Sequence, residues 1–359
     1  MAGHLEWLRS LSPWPEDGFG LERMHALLAA LGEPQRDLAA VHVVGTNGKS
    51  TATRTIAGAL RREGLRVGAY TSPHVESWAE RIQLDGADVD LERALGAVRE
   101  AGAALGATQF ETLTAAALLC FEDAATDAVV IEAGLGGRFD ATNVLEAVRV
   151  VVLTNVSLEH TDVLGETRQA IAAEKLAVIR PGCVAVLGEA EWEGAAREAG
   201  ASRVRVASSL PALAGAAAEA FLGRPLRSGP VEAASLPGRF ERRPGEIRDG
   251  AHTEDGVAWL RERLPAVEHT VVASILRDKD VAAMLRALSA VGSRFVATAS
   301  SNPRALSAEE LGVLARDAFD EVHVEPDPVA AVALAHRLGE PVLVTGSLYL
   351  LAELSERGA

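Results

Sequence analysis

Residues 41–63 constrain this chain more than any other stretch. Val41-His42-Val43-Val44 runs into Gly45-Thr46-Asn47-Gly48-Lys49-Ser50-Thr51, and a helical Ala/Arg/Leu segment follows from about Ser50 to Glu63. A β-preferring run, a turn punctuated by glycines and a helix read as the first half of a βαβ unit. Glycines let the backbone N–H groups of such a turn face inward, the helix N-terminus favours negative charge, and a lysine there reaches toward terminal phosphates. The standard G-x-x-x-x-G-K-[ST] pattern is not met, because its first glycine would fall at Val43. Residues Gly45, Thr46, Asn47, Gly48, Lys49, Ser50 and Thr51 are therefore expected to hold nucleotide phosphates; the competing reading is a plain βα turn.

The same alternation runs on along the chain. Strands are expected at Val41 to Val44, Arg66 to Tyr70, Ala128 to Glu132 and Arg149 to Thr154, with a further helix from Glu111 to Asp123 and an Ala-rich helical region from Pro181 to about Phe221. Prolines and glycines crowd residues 223–245, so a domain boundary is placed near Arg239, giving domains 1–238 and 239–359. Beyond it the alternation predicts strands at Glu246 to Arg248, Thr270 to Ser274, Arg294 to Ala297, Glu321 to Val324 and Val342 to Thr345. The fold class is α/β, a phosphate-binding parallel-sheet domain followed by a smaller α/β domain. Aromatics make up only 4% of the 359 residues, so the cores must be Ala, Val and Leu, which suits helices laid on parallel sheets.

A net charge of −15 argues against wrapping nucleic acid or an anionic membrane, since both need clustered Lys and Arg. Cys120 and Cys183 stand far apart in apolar surroundings, as reduced core thiols do. The segment Met1 to Trp7 has no basic stretch leading into an apolar one, and a cytoplasmic, monomeric protein is expected.

Of 35 basic residues only Lys49, Lys175 and Lys279 are lysines, and Asn47, Asn143, Asn155 and Asn302 are the only asparagines. Where arginine has replaced lysine so widely, a surviving lysine points to a need for a compact ammonium or a reactive amine. Three strand ends carry unusual residues as well. Tyr70 leads into Thr71-Ser72-Pro73-His74, Ile131 into Glu132-Ala133-Gly134-Leu135-Gly136-Gly137-Arg138-Phe139-Asp140-Ala141-Thr142-Asn143, and Leu153 into a loop ending Glu159-His160-Thr161-Asp162. Carboxyl ends of parallel strands share one edge, so these loops should meet above the phosphate cradle. Ser72, Glu132 and His160 would there suit a magnesium ion (Mg2+) shared with nucleotide phosphates. Taken singly, each also reads as an ordinary turn residue, salt bridge or loop histidine. Lys175, in a segment otherwise apolar around it, reads either as chemical or as a charge paired with Glu174 and snorkelling to solvent. Asp249-Gly250-Ala251-His252 again puts an acid and a histidine after a strand, and Arg277-Asp278-Lys279-Asp280 is the weaker signal of a charged helix start.

Together these segments resemble the folylpolyglutamate synthase and dihydrofolate synthase family of the Mur ligase superfamily. The resemblance also takes in Gly20 to Met24, Phe110-Glu111, Glu174-Lys175, Leu236 to Phe240 and Asn302-Pro303-Arg304-Ala305. It implies an ATP-dependent ligase that joins L-glutamate to dihydropteroate, to reduced folates or to both, through an acyl phosphate. It also implies a central P-loop ATPase domain and a Rossmann-like glutamate-ligase domain. Lys49, His160, Lys175 and His252 would be the catalytic residues. Arg239 and Asp249 would contact ATP, and Ser72, Glu132, His160 and Lys175 would bind magnesium, Lys175 as a carbamate. Thr71, Pro73, His74, Phe110 and Glu111 would line the folate or pteroate site.

The chain departs from the family pattern in three places. Ser209 to Ala220 lacks the Gln and the adenine-reading Asn that usually precede an Ala-rich helix, Thr253 stands where Asn is common, and Glu159 precedes His160 where Asp is usual. Two alternatives stay open on sequence grounds: a ligase of the superfamily acting on another carboxylate, and a non-catalytic nucleotide-binding paralogue.

Overall fold

The strand at Ala40–Val44 is buried along its whole length, because Val41 and Val43 pack to one side of the sheet and Ala40 and Val44 to the other. This is how a strand covered by helices on both faces reads in sequence, as a continuous apolar run. The computed structural model describes residues 3–15 and 18–358, so Met1 and Ala2 of the N-terminal stretch lie outside the described residues. Two compact units emerge, one of residues 1–73 and 78–234, the other of residues 74–77 and 235–359.

In the first unit the strands are β1 (Ala40–Val44), β2 (Val67–Tyr70), β3 (Ile82–Leu84), β4 (Ala87–Asp88), β5 (Ala128–Glu132), β6 (Val148–Leu153), β7 (Val184–Leu187) and β8 (Arg203–Val206). They form one sheet in the order β4-β3-β2-β5-β1-β6-β7-β8. All neighbours from β2 to β8 pair in parallel, and β3 and β4 add an antiparallel edge. Register places Val43 beside Glu132, Val44 beside Leu153 and Tyr70 beside Ile131, so the loops that follow leave the sheet at one edge. On one face the helix Lys49–Arg62 packs Ala52, Ile56 and Leu60 with Leu213, Ala214 and Ala217 of the helix Leu210–Leu222.

The strands expected in this unit are present to within a residue or so at each end. The region after Pro181 is a correction. It holds β7 and β8 with the short helix Glu193–Glu198 between them, and only then the Ala-rich helix. Val184-Ala-Val-Leu187 and Arg203-Val-Arg-Val206 are too short to stand out against the alanines around them.

The second unit contains β9 (Glu241–Arg243), β10 (Glu246–Arg248), β11 (Thr270–Ala273), β12 (Arg294–Ala297), β13 (Glu321–Val324) and β14 (Val342–Thr345), in the order β13-β12-β11-β14-β10-β9. Only β9 runs antiparallel to its neighbour. The chain steps outward from β11 to β12 and β13, then returns to the other side of β11 with β14. This makes β11/β14 the topological switch point of the sheet. Among the described residues no helix is long and apolar enough to cross a membrane.

Candidate active site

Gly45 has φ 147° and Gly48, at the head of the helix Lys49–Arg62, has φ 77°, values that favour glycine. A Cβ on Gly45 would stand 1.9 Å from the Thr154 hydroxyl, so β6 can approach the turn only because that position has no side chain. Asn155 braces the turn twice: its carbonyl accepts from Thr46 N at 3.0 Å and its side-chain oxygen from Asn47 N at 2.8 Å. Lys49 Nζ curls back over the cradle and donates to the carbonyls of Gly45 at 3.0 Å and Thr46 at 3.2 Å.

Glu132, at the end of β5, is 1% exposed. Its Oε1 accepts from the Ser50 hydroxyl at 3.0 Å and its Oε2 from the backbone N–H of Ser72 at 2.9 Å. One carboxylate thus ties the first turn of the helix Lys49–Arg62 to the loop after β2. A hydroxyl and a carboxylate beside a phosphate cradle are hard oxygen donors, so a magnesium ion fits this pair. Among the described residues no three His, Cys, Asp or Glu side chains gather into a cage of their own.

Lys175 is not a snorkelling surface lysine. It is 1% exposed, and its Nζ donates to Glu159 Oε1 at 2.7 Å and to the Gly45 carbonyl at 2.9 Å. Glu174 faces the other way and pairs with Arg138 at 2.8 Å. Burial pulls the Lys175 amine below the usual lysine range, against the pull of Glu159. Burial also works against charge on Glu159, but Lys175 and Lys49 outweigh it and hold that carboxyl at about 2. Lys49, Lys175, Glu132 and Ser50 are thereby brought together around Gly45 and the helix start. His160, with φ 46°, heads the helix Thr161–Leu164 next to Glu159, and its charge helps keep that acid ionised.

The loop after β5 is the buttress of Lys175. Asp140 accepts from Leu135 N at 2.8 Å and Thr142 N at 3.0 Å, and Thr142 Oγ1 meets the buried His42 Nε2 at 2.8 Å. Burial and the charge of Arg180 push His42 down to about 3, so it is neutral. Arg138 N donates to the Glu174 carbonyl at 3.1 Å, and a Cβ on Gly137 would lie 2.7 Å from the carbonyls of both Glu174 and Lys175. Only glycine lets the loop seat the lysine-bearing helix this closely.

Other expected positions also have structural partners. Thr71 Oγ1 accepts from Arg54 at 3.1 Å. Pro73 ends the first part of this unit, and His74 opens the segment 74–77 that groups with the second. Phe110 lies over Gly134, where a Cβ would come within 2.6 Å of the ring. Glu111 forms a capping box with Thr108 and a 2.8 Å ion pair with Arg23, which pins the helix Gln109–Asp123 against the helix Glu22–Ala30. In the second unit Asp249 accepts from Phe240 N at 2.7 Å and Ala251 N at 2.8 Å, and burial raises its pKa against the charge of Arg239. His252 donates through Nδ1 to the Gly250 carbonyl at 2.8 Å.

The Mur ligase middle domain model matches residues 43–187, the stretch from the cradle through β7. The dihydrofolate synthase/folylpolyglutamate synthase of Escherichia coli K12 is 31% identical over 407 aligned positions, covering 99% of this chain and 95% of that protein. The chain belongs to this family. The enzyme of the same name from Bacillus subtilis is also 31% identical and covers 94% of each. Among solved structures, E. coli FolC in complex with DHPP and ADP superposes with a TM-score of 0.88 at 28% identity, over 99% of this chain and 97% of that one. The Yersinia pestis family member complexed with AMPPNP and Mn ion gives 0.86 at 28% identity, over 100% and 99%. Asn155, Glu159 and the Asp140–Thr142–His42 chain are residues to which the motifs assign no role. The rarity of asparagine was the signal for Asn155; nothing local marks Glu159 as the partner of Lys175.

Proposed function

We propose that this chain is an ATP-dependent ligase that adds L-glutamate to dihydropteroate, to reduced folates or to both. The convergence of Lys49, Lys175 and Glu132 on the Gly45–Ser50 turn carries the reading, since this arrangement suits phosphoryl transfer and the chain belongs to a family of such ligases. The substrate carboxylate attacks the γ-phosphorus of ATP, ADP leaves, and the resulting acyl phosphate loses phosphate to the glutamate amine, which gives up a proton as the amide forms. Both partners of the first step are anions. Lys49 and the inward N–H groups of the turn offset their repulsion, Asn155 keeps that turn rigid, and Ser50 and Glu132 would hold magnesium. Magnesium, when bound, supplies further neutralisation of the phosphate oxygens.

Residues 1–238 serve as the P-loop ATPase domain and 239–359 as the glutamate-ligase domain. Arg239 and Asp249 contact the nucleotide, His252 serves the reacting groups, and His160 completes the metal surroundings with Ser72. Thr71, Pro73, His74, Phe110 and Glu111 belong to the folate side. Lys175 acts as a carbamate: its neutral amine adds to carbon dioxide and loses a proton. The lowered amine pKa supports this, because only the unprotonated amine reacts. The protein works as a cytoplasmic monomer.

Incubation with ATP, magnesium and labelled glutamate, with dihydropteroate and tetrahydrofolate offered separately, tests the reading by product mass. A glutamylated product and stoichiometric ADP are expected with at least one acceptor. Folded protein that binds ATP and glutamylates neither would overturn it.

A further inference from the structure

Val156 sits in the loop after β6, between the two residues that touch the Gly45–Ser50 turn. On one side Asn155 accepts from Thr46 N through its carbonyl and from Asn47 N through its side chain; on the other, Ser157 N donates to the Thr46 hydroxyl at 3.1 Å. Val156 is 2% exposed, so its own backbone groups need partners inside the protein. Both partners are side chains. Its N–H donates to Glu189 Oε2 at 2.9 Å, and its carbonyl accepts from Arg168 Nε at 2.9 Å. The two side chains then close on each other, with Arg168 Nη2 3.2 Å from Glu189 Oε1. One ion pair thus grips the backbone of one residue from both sides.

Arg168 opens the helix Arg168–Leu176, whose other end carries Lys175. That helix therefore holds the loop twice, at Val156 through Arg168 and at Glu159 through Lys175. Glu189 comes from the loop after the neighbouring strand β7. There Gly188 N donates to the Leu153 carbonyl at 2.8 Å, and a Cβ on Gly188 would stand 1.9 Å from the Thr154 carbonyl oxygen. Any side chain at that position would push the two loops apart. The indole N–H of the buried Trp192 also donates to Glu189 Oε2, at 2.8 Å, and the Arg168 guanidinium lies over the Trp192 ring, 5.2 Å from its centre. An ion pair whose side chains are 39% and 33% exposed adds little stability by itself. Its worth lies in the backbone it fixes.

We propose that Arg168 and Glu189 are positioning residues for the nucleotide, acting through Asn155 on the Gly45–Ser50 turn. This rests on the ligase reading above, in which that turn holds the ATP phosphates. Thr46 N and Asn47 N are spent on Asn155, so the N–H groups at the start of the helix are the ones left to meet phosphate, and their aim follows the place of Asn155. Phosphoryl transfer depends on such aim, because a small misplacement of the reacting groups costs rate. Glu191 meets Arg168 at Nη1, the guanidinium nitrogen that takes no part in the grip on Val156.

The test reads ADP affinity by calorimetry and the KM for ATP on full-length Arg168→Met, Glu189→Ala and Glu189→Gln, the last also combined with Asn155→Ala. Arg168→Met and Glu189→Ala should weaken ADP binding about 10-fold and raise the KM for ATP in step, with the KM for glutamate changed less than about threefold. A merely structural role would lower the folded fraction and leave both constants where they are. Glu189→Gln keeps an acceptor for Val156 N and should lose less than Glu189→Ala. In the Asn155→Ala background the grip has nothing left to act through, so adding Glu189→Gln there should weaken ADP by no more than about twofold. Unchanged ADP affinity in folded Arg168→Met and Glu189→Ala, fully additive losses in the double variant, or an equal loss in Glu191→Gln would overturn the proposal. Wild type that binds ADP but glutamylates neither acceptor sinks the ligase reading alone, since the positioning role is read from ADP affinity. Wild type that binds no ADP ends both.

Discussion

At the carboxyl edge of the first sheet the charged groups are buried against one another, with Glu132 and Lys175 each 1% exposed. At the corresponding edge of the second sheet the buried groups are mostly hydroxyls, Ser274, Thr298, Thr345 and Ser347, while Lys279 and Arg304 stand nearer the solvent. The first arrangement costs desolvation, which close pairing offsets, and it fixes the charges before any ligand arrives. The second keeps its cations loosely paired. The contrast is between charges held in buried pairs in one unit and charges held at longer range in the other.

The sharpest attack on that contrast is to remove charge from the first edge. Lys49→Ala should lower turnover on the order of a hundredfold or more while thermal melting stays near wild type, because backbone, Asn155 and glycine geometry build the turn. Near-normal turnover by the folded variant would remove the phosphate role. Lys175→Arg should be almost as damaging. Arginine keeps the charge facing Glu159 but cannot form a stable carbamate, and its larger head must fit where the ammonium meets Gly45. Lys175→Ala separates the two causes: partial rescue by added acetate or formate is expected if a carboxylate is what is missing. Full activity of Lys175→Arg would end the carbamate proposal.

A smaller effect is expected at Glu132. Glu132→Gln keeps an acceptor oxygen for Ser72 N and can donate its amide to the Ser50 hydroxyl, but it loses the negative charge, so the magnesium needed for half-maximal rate should rise about tenfold. A titration superimposable on wild type would dissociate Glu132 from the metal.

The first sheet was legible because a strand buried on both faces writes itself as an unbroken apolar run, as in Val41 to Val44 and Ala128 to Glu132. The outer strands β3, β4, β7 and β8 are short and sit among polar residues or alanines, so nothing periodic distinguishes them from loop or helix. Among site residues, Lys49, Glu132 and Lys175 could be found from position and rarity. Glu159 could not, because its meeting with Lys175 across 16 residues depends on how the loop after β6 folds back. Glu111 carries a second signal, since the spacing from Thr108 to Glu111 is itself a capping box that helix chemistry predicts.

The same lesson bears on the nucleotide base. No asparagine precedes the helix Leu210–Leu222; Ser209 occupies its cap and accepts from Ala212 N. Phosphate contacts do not discriminate between purines, so GTP should support turnover within about tenfold of ATP at saturating magnesium. A preference of a hundredfold or more would mean that another side chain reads the adenine edge.

The smallest expected effect lies at the amino end of the second sheet. There Glu246 of β10 is paired with Arg248 and also meets His336 Nε2 at 3.1 Å, while His336 Nδ1 meets Glu340 at 2.8 Å. Burial would lower the histidine pKa, but the hydrogen bonds to Glu246 and Glu340 outweigh it and raise the value above 6.5. A raised folded-state pKa stabilises the charged form of the native protein. Its contribution is therefore complete below the unfolded value of 6.5 and is lost as pH rises through the higher folded value. Because the imidazole is only half-buried, solvent screening should hold the effect to about 0.5 kcal/mol. Denaturant unfolding of wild type and His336→Gln should differ most near pH 6 and converge toward pH 8. Over the same interval Glu159, held at about 2, stays ionised in the first unit. A difference between the two proteins that stays constant or grows toward alkaline pH would show that His336 acts through packing rather than through its charge.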